Sequence, residues 1–170
     1  LRVERIATGA ESDEWRVAAG RVLAVRLERQ REQAEFRIKR GVIALNEPAN
    51  LPESGMLLNV SLPRLDVEAW SNWLGEGSGI AVPAPGAGKS SASAEPPVDF
   101  IALQTQDLVI MRRSFRNLTL GASLSRGGLV DANISSDNLV GQITWRPGPA
   151  GSLDSAGLGR VRAHLSRLVI

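Results

Sequence analysis

The chain has 170 residues, 43% of them hydrophobic, enough to bury a core in one extended domain or two small ones. Its 20 basic and 18 acidic residues nearly balance, so no nucleic-acid-binding surface is indicated. Cysteine is absent and His164 is the single histidine, which excludes disulfides and cysteine-based zinc sites. We expect no metal site and no cofactor.

The chain shows no pattern of a targeting segment or membrane span. It begins at Leu1 without methionine and contains no run of about 18 apolar residues. We therefore expect a fragment of a longer protein, whose anchor would lie outside these residues.

The amino-terminal part predicts strands. Residues 14–27 alternate imperfectly between apolar and polar positions, and Gly20 interrupts them, which favours two short strands. A helix over residues 26–35 is the alternative, because Leu, Arg, Glu and Gln are good helix formers.

Two further apolar stretches also predict strands. Residues 35–45 predict a pair of strands separated at Gly41, and residues 56–62 alternate with the period of a single strand. A short amphipathic helix follows near residues 66–74, because Asp66 can cap its first turn and apolar residues recur at helical spacing.

Residues 75–97 are rich in Gly, Ala, Pro and Ser, and few of their side chains could offset the entropy of ordering them. We expect a flexible linker or a hairpin insertion there. It would separate a β-rich first segment, residues 1–74, from a second segment, residues 98–170.

The second segment predicts an antiparallel meander. Short alternating stretches are separated by turn residues at roughly ten-residue intervals. The meander is expected to continue the sheet of the first segment. The strands have one apolar face, and that face either closes onto a second layer or lines an open groove.

No motif indicates catalysis. GAGKSS at residues 86–91 has the end of a phosphate-binding loop, but Pro83 stands where its first glycine would be. His164 lies among arginines with no marked nucleophile, so a surface histidine is favoured. Asp131 and Asp137 flank a turn, where hydrogen bonds that their carboxylates accept from the backbone explain them better than acid or base chemistry.

Two groups of arginines would suit contacts with lipid phosphates, but solvated strand faces and protected sheet edges are favoured. The tryptophans are interpreted as core residues rather than a ligand platform. The arginines are Arg112, Arg113 and Arg116, and Arg160, Arg162 and Arg167; the tryptophans are Trp70, Trp73 and Trp145.

Three segments of the second half carry a family resemblance: DLVIMRRSFRNLTLGAS, GGLVDANISSDNLVGQITWRP and GRVRAHLSRLVI. Together with the earlier SLPRLDVEAWSNWL, they resemble the carboxy-terminal region of YhdP-like, AsmA-type bacterial envelope proteins. The resemblance covers roughly residues 35–170, less the two loops.

The resemblance implies a long, curved antiparallel sheet with an apolar groove. It implies a periplasmic segment of an inner-membrane-anchored protein that carries phospholipids toward the outer membrane. The implied partners are phospholipid acyl chains, the remainder of the parent chain and other envelope proteins. Acyl chains need a shielded apolar surface and no catalytic group, since each buried methylene contributes about 0.8 kcal/mol.

Alternation along the strands of the second half selects the candidate residues of the groove. A bulge would move the residues that follow it to the other face of the sheet. A structural or adaptor β-domain, which binds a protein partner through a sheet edge, is the alternative. An enzyme is not expected, because no nucleophile, base and oxyanion donors converge. The groove candidates are Leu103, Leu108, Ile110, Leu118, Leu120, Ile134, Ile143, Val161 and Leu165.

Overall fold

The computed structural model describes residues 1–9, 11–32, 35–69, 98–110, 112–125, 129–146 and 160–169. Within these ranges the protein is mainly β, with ten strands in one open, mostly antiparallel sheet and one very short helix. The strands lie side by side in chain order, which confirms the predicted fold class. They are β1 (Arg2–Ala7), β2 (Ser12–Ala19), β3 (Leu23–Glu32), β4 (Glu35–Leu45), β5 (Gly55–Asp66), β6 (Phe100–Ile110), β7 (Arg113–Leu124), β8 (Val130–Ser135), β9 (Leu139–Arg146) and β10 (Arg160–Leu168).

Gly20 lies in the turn between β2 and β3, which confirms the two strands predicted there. Its φ of 61° is in the left-handed region, which glycine adopts without strain from a Cβ atom. β3 pairs with a neighbour on both sides, so the alternative of a helix over residues 26–35 is wrong. Cross-strand packing outweighs the helix propensity of this polar sequence.

Residues 35–45 form one strand rather than the predicted pair. Gly41 lies inside β4, and a Cβ atom placed there would be 2.6 Å from both Leu27 Cδ2 and Met56 Sδ. Glycine therefore makes room for two apolar side chains instead of ending a strand. The irregularity in β4 is a bulge, since Arg40 lies opposite Glu28 while Ile38 lies opposite Arg29.

β4 and β5 run parallel, unlike the other pairs with a described register. Their connection, residues 46–54, returns across one face of the sheet. Arg26 Nη1 donates to the Ala49 carbonyl at 3.1 Å, and Arg40 Nη1 donates to the Pro52 carbonyl at 3.2 Å. Val42, opposite Arg26 on that face, is completely buried. The two arginines thus hold the crossover.

The predicted helix start is confirmed. The Ala69 backbone N–H donates to Asp66 Oδ1 at 2.9 Å, which is the bond of an N-capping carboxylate. The helix begins at Val67, directly after β5. Its predicted continuation with Trp70 and Trp73 lies outside the described residues.

The chain divides into two compact units. Unit 1 comprises Leu1–Leu62 and Glu95–Leu103, and unit 2 comprises Pro63–Ala94 and Gln104–Ile170. Among the described residues, the buried apolar side chains of unit 1 are Val42, Ala44 and Met56, and that of unit 2 is Leu118. The predicted separating segment, residues 75–97, lies outside the described residues, and the three-part division stays a prediction.

Candidate functional site

In unit 2, three rows of largely apolar residues cross strands β7 to β10 on one face. The rows follow from the strand registers, because residues opposite one another in a sheet share a face and successive residues alternate. The rows are Leu120, Ile134, Gly141 and Leu165; Ala122, Ala132, Ile143 and Ala163; and Leu124, Val130, Trp145 and Val161.

The rows bring together five of the nine predicted groove residues: Leu120, Ile134, Ile143, Val161 and Leu165. Leu118 has the parity of Leu120, but it is only 1% exposed and lies in the interior. The other three candidates, Leu103, Leu108 and Ile110, are half-buried on β6, and no described register places them in these rows. That all nine line one groove stays a prediction.

The apolar rows extend to the outer strand of the sheet. β10 is exposed at every residue, with Val161 at 63% and Leu165 at 44%. Throughout the described ranges, every strand belongs to the same sheet, so no second sheet covers these rows there.

The opposite face of these strands carries a shallow depression of about 620 Å³. Most of the residues around it alternate away from the apolar rows and are polar. Ile134 and Leu165 also border it. The polar residues are Thr119, Asn133, Ser135, Gln142, His164 and Ser166. The depression therefore combines polar side chains with Ile134 and Leu165, which also belong to the first apolar row.

Unit 1 has an apolar face of the same kind, which the sequence analysis did not select. The predicted candidates all came from the second half, where the family motifs are concentrated. Strand registers align three rows: Trp15, Leu27, Gly41 and Met56; Val17, Val25, Ile43 and Leu58; and Ala19, Leu23, Leu45 and Val60.

A buried carboxylate marks one end of this face. Asp13 Oδ1 accepts from Arg29 Nε at 2.9 Å, and Asp13 Oδ2 accepts from Arg29 Nη2 at 2.8 Å, Arg5 Nε at 2.7 Å and Trp15 Nε1 at 3.3 Å. The bond with Arg29, aided by those with Arg5 and Trp15, holds the pKa of Asp13 well below its ordinary value, although burial opposes this shift.

Two glutamates bind arginines on the other face of unit 1. Glu14 accepts from Arg16 Nε at 2.5 Å and from Arg26 Nε at 2.8 Å, and these bonds lower its pKa to about 2. Glu28 accepts from Arg40 Nε at 2.7 Å, which lowers the pKa of Glu28 below its ordinary value. The pairs of Glu14 with Arg26 and of Glu28 with Arg40 link neighbouring strands, whereas Arg16 lies on the same strand as Glu14.

Acid should weaken the fold through these carboxylates. The pKa of each of these carboxylates is lower in the folded chain than in the unfolded chain, so the ionised form stabilises the fold above the unfolded pKa of about 4. This stabilisation is lost as the pH falls toward the folded pKa. The free energy of unfolding, measured by urea titration, should therefore fall between about pH 4.5 and pH 2. Glu14→Gln should make this decrease shallower, whereas Glu53→Gln, at an exposed position, should not. Equal slopes in both variants would contradict the assignment.

Among the described residues, Asp131 and Asp137 bond to other side chains rather than to the backbone of a turn. Asp131 Oδ1 accepts from Thr144 Oγ1 at 2.8 Å across β8 and β9, and the Asp137 carboxylate accepts from Asn117 Nδ2 at 3.1 Å. Ser136 holds the turn instead, since the Leu139 N–H donates to Ser136 Oγ at 3.0 Å.

The other predicted features are exposed or lie outside the described residues. His164 is exposed, as are all six arginines that were considered for lipid phosphates. The GAGKSS segment lies outside the described ranges. Within those ranges, no group of three or more His, Asp or Glu side chains is arranged to hold a metal ion. No helix there is long and apolar enough to cross a membrane.

An open, mostly antiparallel sheet with apolar rows on one face is consistent with a groove-forming domain of the lipid-transport class. The chain belongs to the YhdP family, because the model of this family, described as YhdP protein, matches residues 1–169. This is a transport or structural family rather than a known enzyme family, and it suggests the cell envelope. No match was found among curated proteins or among solved structures.

Proposed function

We propose that the chain is a periplasmic segment of an inner-membrane-anchored bacterial protein, and that its apolar rows form part of a groove for phospholipid transfer between the inner and outer membranes. The ligands are phospholipid acyl chains, which slide along the rows without covalent chemistry. The remainder of the parent chain would extend the groove.

The observation that carries this proposal is the set of three rows across β7 to β10. Within the described residues they run to the open edge without a covering sheet. Leu120 and Ile134 are a cross-strand pair in one row, and Val130 and Trp145 are a cross-strand pair in another. Burial of acyl methylenes against such a surface contributes about 0.8 kcal/mol for each methylene. Family membership supports the choice of a lipid as the ligand.

Lipid extraction from the purified chain tests the proposal. The chain would be expressed in a bacterial periplasm, purified without detergent and analysed by denaturing mass spectrometry. We expect phospholipids well above the amount in a mock purification from cells that lack the chain. Phospholipid at the level of the mock sample would contradict a groove.

A structural or adaptor domain is the second candidate, and the exposure of β10 favours it. β10 is the last strand in the sheet order and all nine of its residues are exposed. Within the described residues its outer edge is therefore open to pair with a strand of a protein partner. This function requires no lipid. It would be supported by a partner that protects the β10 amides from hydrogen exchange in a lipid-free sample.

A further inference from the structure

Three arginines lie at one end of the apolar face of unit 1. Arg29 lies opposite Asp13 on β2, Arg31 lies opposite Phe36 on β4, and Arg5 reaches the same carboxylate from β1. Among the side chains that the structure describes at this end, the acidic ones are Asp13 and the exposed Glu11, so the three arginines outnumber them by one.

These arginines retain donors for a ligand. A guanidinium has five N–H donors, of which Arg5 uses one and Arg29 uses two on Asp13. The Arg5 side chain is 59% exposed and that of Arg29 is 27% exposed. Arg31 is exposed and forms no side-chain ion pair with any residue that the structure describes.

Arg29 is ordered before any ligand binds. Asp13 binds Arg29 through two parallel hydrogen bonds, and the guanidinium carbon of Arg29 lies 5.0 Å from the ring centre of Trp15 and 4.7 Å from that of Phe36. Because these contacts already order the Arg29 side chain, a bound anion would not have to offset that loss of entropy.

The apolar rows begin directly beside the cluster. Arg5 lies opposite Trp15, and Trp15 lies opposite Leu27 in the first row. The next row, which contains Val17 and Val25, is two residues further along the strands, or about 7 Å. An amphipathic molecule could therefore place an anionic group on the arginines and an acyl chain along the rows.

We infer that Arg5, Arg29 and Arg31 bind the phosphate of a lipid whose acyl chain lies on the apolar face of unit 1. This inference rests on the proposed function and adds a headgroup site to it. Phosphate is the matching group, because its oxygens accept hydrogen bonds from the planar guanidinium fork in pairs.

Binding of two lipids that share one acyl chain tests the site. Oleoyl lysophosphatidylglycerol carries a phosphate and mono-oleoylglycerol does not, and both would be titrated calorimetrically into the 170-residue chain below their critical micelle concentrations. We expect the phosphate to improve affinity about tenfold. Arg31→Gln and Arg5→Gln should each remove most of this preference and leave mono-oleoylglycerol binding unchanged.

Arg2→Gln is the matched control, since Arg2 is on the same strand as Arg5 but on the opposite face, and its side chain is 79% exposed. It should keep the full preference. Circular dichroism would verify the fold of each variant. Arg31→Gln leaves the Asp13 bonds intact, so its loss of preference would not come from unfolding.

The other outcomes of these titrations distinguish the headgroup site from the apolar groove and from a site for a free anion. Equal affinity of the wild-type chain for both lipids would overturn the headgroup site and leave the apolar groove standing. Binding of neither lipid would overturn the site and the proposed function together. Binding of inorganic phosphate that depends on Arg31, without preference for the phosphate-bearing lipid, would identify a free-anion site and also overturn the inference.

Discussion

Replacement of Leu120 or Ile143 by aspartate should abolish uptake of a fluorescent acyl-chain probe while the sheet remains folded. Both residues are half-buried within the rows of unit 2, Leu120 opposite Ile134 and Ile143 opposite Ala132. An acyl chain on these rows would bury the new carboxylate without a partner, and burial of an unpaired charge costs far more than each methylene contact contributes. Without the probe, water still hydrates the carboxylate, so the fold tolerates it.

The matched controls are Thr119→Asp and Gln142→Asp, one position along the same strands. Thr119 and Gln142 are exposed, and they lie on the polar face. These variants should keep probe affinity within about twofold of wild type, since an exposed charge on the far face is screened by water. Fluorescence titration gives the affinity and circular dichroism gives the fold. Equal binding by all four variants would rule out the apolar rows as the binding surface.

Strand positions in the second half were predictable because alternation and turn residues agree there. Residues 139–146 show both signals, and β9 has those bounds. In the first half they conflict. Gly41 is a residue type that often interrupts a strand, yet it lies inside β4 because Leu27 and Met56 fill the space above it. That reason is a contact between three strands, which a local pattern does not contain.

β1 was not predicted for a similar reason. In Arg2–Ala7 the residues of one parity are Arg2, Glu4 and Ile6, which is not the pattern of a half-buried strand. Hydrogen bonding to β2 and the bond from Arg5 to Asp13 hold the strand instead. Ion pairing between strands substitutes for apolar burial at this edge, and such pairing depends on a register that cannot be deduced from one strand.

Local alternation predicts which residues of a strand share a face, but it does not predict how far an apolar surface extends across the sheet. From Leu118 to Leu124 the alternation is regular, and the register of β7 with β8 pairs Leu120 with Ile134 and Ala122 with Ala132. Asn117 has a φ of 51°, which breaks the alternation just before this stretch. The arginine cluster of unit 1 gave no local signal, because Arg5, Asp13 and Arg29 meet only after three strands align.

The pairing of β10 with β9 depends on the absence of a side chain at Gly141. A Cβ atom there would lie 2.5 Å from the His164 carbonyl oxygen and 3.1 Å from Leu165 Cα, both backbone atoms. Gly141→Ala must therefore push β10 away from β9. We expect this to lower the free energy of unfolding by about 2 kcal/mol and to speed hydrogen exchange of the β10 amides.

Gly121→Ala is the control for this prediction, since a Cβ atom at Gly121 meets nothing within 4 Å. Its effect on the free energy of unfolding should stay within about 0.5 kcal/mol. Urea titration and amide exchange measured by mass spectrometry would compare the two variants. Since Leu165 and Val161 lie on the displaced strand, Gly141→Ala should also weaken acyl-probe binding, which Gly121→Ala should not. Equal effects of both alanines on stability and exchange would show that β10 does not need this close backbone contact to stay in the sheet.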